Sequence, residues 1–255
     1  MTRALGVALL VVSASAHAGP EYRWRESPAA GSLAQRFVPP AGSRRVELAP
    51  GTFSAWLREL PLEPAGTRVH LYDGSEKPRQ DVHAAVVAID VGDRDLQQCA
   101  DAVMRLWAEY RFSRGEAVEL HPDAGRARVL RYDPRAADPG RRRFRQYLAQ
   151  VFAEAGSASL QAELVPVAGP IMPGDVLIQG GHPGHAVLVL DVAVDVAGRR
   201  SVLIGQSYMP AQQVHVLRNL PGQTPWFDAS ALDEPSGLAT PEWRPFHRRD
   251  LRRFR

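Results

Sequence analysis

Cys99 is the single cysteine of a 255-residue chain, within Asp95-Leu96-Gln97-Gln98-Cys99-Ala100-Asp101-Ala102-Val103. A thiol with no second cysteine in its chain is either a small buried hydrophobe or a nucleophile. Sulfur that attacks a carbonyl needs a base, and the base needs a group that orients it. His185 follows Gly184 at the head of an apolar run, and Gln206 closes the next one. Thiol, imidazole and amide in that chain order supply a nucleophile, a base and an orienting group; Asp191 or Asp175 could take the third place. The backbone N–H of Cys99 and the side chain of Gln97 are the candidate donors to an oxyanion.

Positioning falls to a helix and a hairpin. Asp95 as N-cap with Gln98 three residues on matches a capping box, which predicts a helix from Asp95 to about Tyr110 with Cys99 in its first turn. There the free N–H groups and the dipole favour a thiolate. Leu96, Cys99, Val103, Trp107 and Tyr110 recur at three- and four-residue steps, so the thiol faces inward. Residues 185–192 read as a buried strand, Gly198 as a hairpin turn and 201–206 as the returning strand. Antiparallel pairing then sets Gln206 beside the beginning of the His185 strand. Gln179, His182 and Tyr208 border these segments and are the expected substrate contacts.

The rest of the chain reads as scaffold. A basic start at Met1-Thr2-Arg3, an apolar run over 5–12 and Ala16-His17-Ala18 fit a secretory leader over 1–18, cleaved after Ala18, giving a periplasmic or secreted protein. Residues 19–50 lack periodicity and should wrap the domain or stay mobile, and 51–255 read as a single domain. Strands are predicted over 68–72, 82–91 and 127–132, and a helix carries Phe144, Tyr147, Leu148, Val151 and Phe152. The Gly- and Arg-rich stretch 115–140 is the candidate lid or substrate loop, with an ordinary surface loop as the alternative. Arg141 to Arg143 oppose the dipole at the start of their helix and so need another partner. The basic segment from Arg244 to Arg255 reads as a solvated terminus.

With 45% hydrophobic residues the chain can bury a real core. A formal charge of +3 over 31 basic and 28 acidic side chains does not suggest nucleic acid. Lys77 is the only lysine, a bias that reads as genome composition. No apolar run is long enough for a transmembrane anchor, and nothing calls for a cofactor.

Gly174-Asp175-Val176 followed by Gly184-His185-Ala186-Val187-Leu188-Val189 resembles the strand pair of NlpC/P60 and CHAP cell-wall hydrolases. The resemblance implies an α+β, papain-like fold, with an antiparallel sheet packed against a helix bearing Cys99. It also implies Cys99 as nucleophile, His185 as base and Gln206 as the residue orienting the ring. The substrate it implies is a cell-envelope polymer or peptide, cleaved at an amide bond.

A second resemblance spans nearly the whole chain. Trp56-Leu57-Arg58-Glu59-Leu60-Pro61-Leu62, Val69-His70-Leu71-Tyr72-Asp73-Gly74, the run from Asp95 to Leu106 and Gln206-Ser207-Tyr208-Met209-Pro210-Ala211-Gln212 look like the bacterial domain of unknown function 4846 family. That resemblance implies an exported bacterial protein and leaves its activity open.

Other chemistries are weaker. His182, His185, His215 and Asp191 could hold a metal, but without a zinc signature. Gly205-Gln206-Ser207-Tyr208-Met209 fails the serine elbow pattern, since Met209 stands where the second glycine belongs. A non-catalytic envelope binding protein using the same groove remains the alternative to a hydrolase.

Overall fold

A computed structural model describes residues 21–24, 30–137 and 140–255. The predicted leader lies outside them. The helices are α1 (Leu33–Arg36), α2 (Phe53–Arg58), α3 (Cys99–Ser113), α4 (Arg141–Glu154) and α5 (Ser157–Glu163). The strands are β1 (Ser43–Arg45), β2 (His83–Val86), β3 (Val118–Leu120), β4 (Leu130–Tyr132), β5 (Val165–Pro166), β6 (Val176–Gln179), β7 (His185–Asp195), β8 (Arg200–Gln206), β9 (His215–Leu217), β10 (Trp226–Asp228), β11 (Leu238–Thr240), β12 (Trp243–Phe246) and β13 (Leu251–Arg253).

Among the described residues, nine strands form one antiparallel sheet in the order β2-β9-β8-β7-β6-β13-β5, with β1 added on β7 and β10 on β8. Two-stranded sheets β3–β4 and β11–β12 stand apart from it. This sheet-rich architecture, with few helices, overturns the expected papain-like α+β fold. The extra strands come from segments without periodicity: 43–45 pairs with β7, and the basic C-terminal segment pairs through 251–253 with both β6 and β5. Backbone donors and acceptors in such segments must still be paired when buried, and the sheet edge pairs them.

The long run of β7 is apolar without alternation because both of its faces are covered. Ala186, Leu188 and Leu190 join Val103 and Leu106 of α3 in one core. Val187, Val189 and Val192 join Phe227 and Phe246 in the other. Each fully buried side chain of this kind contributes about 1.5–3 kcal/mol.

Several expected elements move. The helix begins at Cys99 rather than Asp95: Gln98 is the N-cap, and its N–H donates to Asp101 at 3.1 Å. Asp95 cannot cap because its carboxylate takes Gln98 Nε2 at 3.0 Å and the Ala211 N–H at 2.7 Å. Residues 68–72 form only isolated bridges, through His70 and Leu71, and the 82–91 strand shortens to β2. The 115–140 stretch carries the β3–β4 hairpin, the predicted strand over 127–132 shortening to β4, with Tyr132 packed edge-on against Phe144 of α4. Arg141 finds its partner in Glu109 of α3, and Phe254 of the C-terminal segment stacks on Trp107 at 4.5 Å. Among the described residues, no helix is long and apolar enough to cross a membrane.

Candidate functional site

The loop 180–184 aims the start of β7. A Cβ at Gly184 would overlap Ser157 Oγ and the backbone of Gly181, so only glycine lets the loop close this tightly against α5. The register then sets Leu188 opposite Gly205 and Val189 opposite Ile204. Continuing it brings Gln206 to the face that His185 shares with Val187 and Val189. His185 is fully buried, and its Nε2 lies 3.0 Å from Gln206 Oε1. Its Nδ1 is buried and has no hydrogen-bond partner among the described residues. Burial pushes the imidazole down to about 4, with the Gln206 contact acting in the opposite direction. The ring is therefore uncharged at neutral pH.

Cys99 is the first residue of α3, and its Sγ lies 4.0 Å from the carbonyl oxygen of Gly184, the residue before His185. Burial pushes the thiol up, although the backbone amides of Ala186, Ala100 and Cys99 itself favour the thiolate. Desolvation outweighs the helix start here, so the resting pair is thiol and imidazole rather than thiolate and imidazolium. The helix start favours the thiolate, as its sequence position implies, but burial acts against it and prevails.

Behind His185 stands a relay that sequence reasoning missed. Gln206 Nε2 donates to Glu242 Oε2 at 2.8 Å, and Glu242 Oε1 accepts from Lys77 Nζ at 2.7 Å. The Lys77 side chain is 3% exposed and that of Glu242 is 9% exposed. His215 lies 3.4 Å from Gln206 Nε2 through its own Nε2, and its Nδ1 lies 2.9 Å from the Gln213 carbonyl. Burial holds His215 down to about 3. The β11–β12 hairpin that carries Glu242 also covers the imidazole: the Trp243 ring centroid is 5.0 Å from that of His185, and Tyr208 packs edge-on at 5.1 Å. The Tyr208 hydroxyl donates to the Glu242 carbonyl at 3.0 Å. The lone lysine in an arginine-rich chain was the one available signal.

His185, Gln206 and Tyr208 are thus brought together, whereas Cys99 reaches the backbone at Gly184 from the α3 side of the sheet, the face opposite to the one the His185 ring shares with Val187 and Phe246. Gln97 is buried with its Oε1 on Arg105 Nη1 at 2.8 Å, part of an ion cluster with Glu109 and Asp90. That contact commits the amide oxygen, while its Nε2, the end that an oxyanion role would use, is buried without a partner among the described residues. Gln179 has its amide committed: Oε1 accepts from Trp243 Nε1 and Arg244 Nε, and Nε2 donates to Pro245 O and Asp250 Oδ2. In this way it ties β6 to the β11–β12 hairpin. His182 is exposed on the 180–184 loop. Asp191 is taken by Arg45 and Arg58 at 2.6 and 2.8 Å, and Asp175 by Arg253 and the Met172 N–H. Neither carboxylate orients His185. Among the described residues, no group of three or more His, Cys, Asp or Glu could hold a metal ion.

A shallow depression of about 710 Å³ lined by Arg79, Tyr208, Pro241, Glu242, Trp243 and Arg244 opens over the relay. Fold and site together define a sheet-based protein with a buried cysteine and a histidine held by an amide–carboxylate relay. The chain belongs to the domain of unknown function (4846) family, which it matches over residues 33–133 and 124–253. No curated protein and no solved structure matches it.

Proposed function

We propose that the chain is an exported cysteine hydrolase that cleaves an amide bond, with peptidoglycan peptides as its substrate class. The observation that carries this reading is the buried, unpartnered Nδ1 of His185, in a ring anchored through Nε2 on Gln206, beside the strand start that Cys99 Sγ touches. A buried nitrogen without a partner costs stability and calls for an explanation, and a proton-accepting role supplies one here. The sequence likeness to the NlpC/P60 strand pair supports the substrate class, and the leader-like N-terminus supports the compartment.

In the proposed reaction Cys99 Sγ attacks the carbonyl carbon and its proton passes to Nδ1 of His185, a transfer that requires the ring, which rests on the face of β7 away from α3, to come within reach of the thiol. The N–H of Cys99, in the first turn of α3, donates to the oxyanion. The imidazolium returns its proton to the leaving amine, and water then releases the acyl group from sulfur. Because the resting pair is neutral, proton transfer accompanies attack rather than preceding it.

One observation favours the second reading, a non-catalytic envelope binding protein. Cys99 is 7% exposed and His185 lies wholly beneath Tyr208, Trp243 and Phe246, so substrate must displace that cover. Incubation with purified peptidoglycan separates the two. The hydrolase reading expects peptide fragments that vanish in Cys99→Ser and in His185→Ala while both variants still bind sacculi. Binding without release by the wild-type protein, over long incubation, establishes the binding reading.

A further inference from the structure

We infer that Glu242, held by Lys77, is a positioning residue that fixes the tautomer of His185 through the Gln206 amide. The logic is one of donors and acceptors. Lys77 Nζ can only donate, so the group it meets at 2.7 Å, Glu242 Oε1, is an acceptor. The second carboxylate oxygen also accepts, so the Gln206 atom 2.8 Å from it is the NH₂. The other end of that amide, Oε1, therefore faces His185 and accepts in turn. The ring nitrogen 3.0 Å away must carry the hydrogen, which makes His185 the Nε2–H tautomer. Nδ1 is left with its lone pair, and that is the nitrogen without a partner.

His215 points the same way from the other side. Its Nδ1 faces the Gln213 carbonyl, an acceptor, so Nδ1 carries the hydrogen and Nε2 is left to accept from Gln206 Nε2 at 3.4 Å. The longer distance makes it the weaker of the two holds on the amide. A neutral glutamine would otherwise be free to rotate by half a turn and present either end to the ring, which would leave the proton position of His185 unset. The carboxylate removes that freedom without itself touching the ring. The β11–β12 hairpin brings it there, so the element that covers the base also sets its proton.

The inference deepens the hydrolase reading by assigning what keeps Nδ1 ready, but its first test does not depend on turnover. Nitrogen-15 spectra of the full chain with labelled histidine report the tautomer directly: His185 is expected with Nε2 protonated and Nδ1 bare. In Glu242→Gln, Lys77 retains the new carbonyl oxygen, the new NH₂ turns toward Gln206, and the Gln206 amide rotates. His185 is then expected to populate the Nδ1–H form. Glu242→Asp keeps a carboxylate and should keep the wild-type tautomer. Alkylation of Cys99 by iodoacetamide should fall in Glu242→Gln to the rate seen in His185→Ala, and recover in Glu242→Asp. A wild-type spectrum with Nδ1 protonated overturns the proposal even if no variant folds, and so does an unchanged tautomer in folded Glu242→Gln. A tautomer switch in a protein that never releases peptide fragments upholds Glu242 as the positioning residue and refutes the hydrolase reading alone.

Discussion

The two halves of β7 carry buried polar groups of opposite character. Toward its far end, Asp191 is fully enclosed, and its oxygens accept from Arg45, Arg58 and the Val192 N–H. At its beginning, His185 is equally enclosed but keeps one ring nitrogen without a partner. The first arrangement is closed: β1, α2 and β7 are pinned by one carboxylate, and no valence remains for a substrate. The second is anchored on one side and open on the other. Asp191 is thus saturated, whereas His185 is one of several buried polar groups that keep an atom without a partner among the described residues.

Substitution tests that contrast directly. Asp191→Ala should cost the most, about 3–5 kcal/mol, because two guanidinium groups would lose their shared partner inside the protein; urea unfolding followed by circular dichroism measures it. A cost below that of His185→Ala would break the comparison. Acid provides the next effect. The unfolded chain protonates His185 near its ordinary value of 6.5, while the folded ring resists until about 4. Stability from this group is therefore complete above 6.5 and lost as pH falls to about 4, roughly 3 kcal/mol in all. Asp101 acts with the opposite sign: burial pushes it up to about 8, so its contribution is present at low pH and drains as pH rises through 8. Subtracting the pH curve of His185→Gln isolates the histidine, and a wild-type curve parallel to that of the variant would refute the assignment.

Thiol reactivity should be smaller and is read kinetically. Burial raises the Cys99 thiol, so near neutral pH the folded protein should alkylate more slowly than the same chain in urea. Faster reaction in the folded state would mean that the helix start prevails over desolvation. Smallest of all, Cys99→Ser changes one inward atom and should cost on the order of 1 kcal/mol. A loss as large as that of Asp191→Ala would place the sulfur with the scaffold rather than with the open site.

What could be read from the residues was local. The β7–β8 hairpin followed from Gly198 and two apolar runs, and its register brings Gln206 to His185 as antiparallel geometry requires. The helix bearing Cys99 was legible too, though its start shifted by four residues because Asp95 bonds a segment more than a hundred residues away. The sheet that replaced the expected fold was not legible, since Ser43–Arg45 and Leu251–Arg253 have no strand pattern of their own and owe their pairing to β7 and β6. Glu242 and Lys77 were likewise hidden. A buried ion pair 165 residues apart leaves no periodicity, and only the rarity of lysine hinted at it.

The wiring of β7 also has a consequence in time. Its partners come from residues 43–45, 176–179 and 200–205, while the relay adds side chains at 77 and 242. Contacts of such long sequence separation make folding slow, since loop closure must precede their reward. During that interval Cys99 is an ordinary accessible thiol, open to oxidation. Folding speed therefore decides how many molecules reach the native state with the sulfur intact, and an oxidising compartment would turn every delay in assembling the sheet into a loss of competent protein.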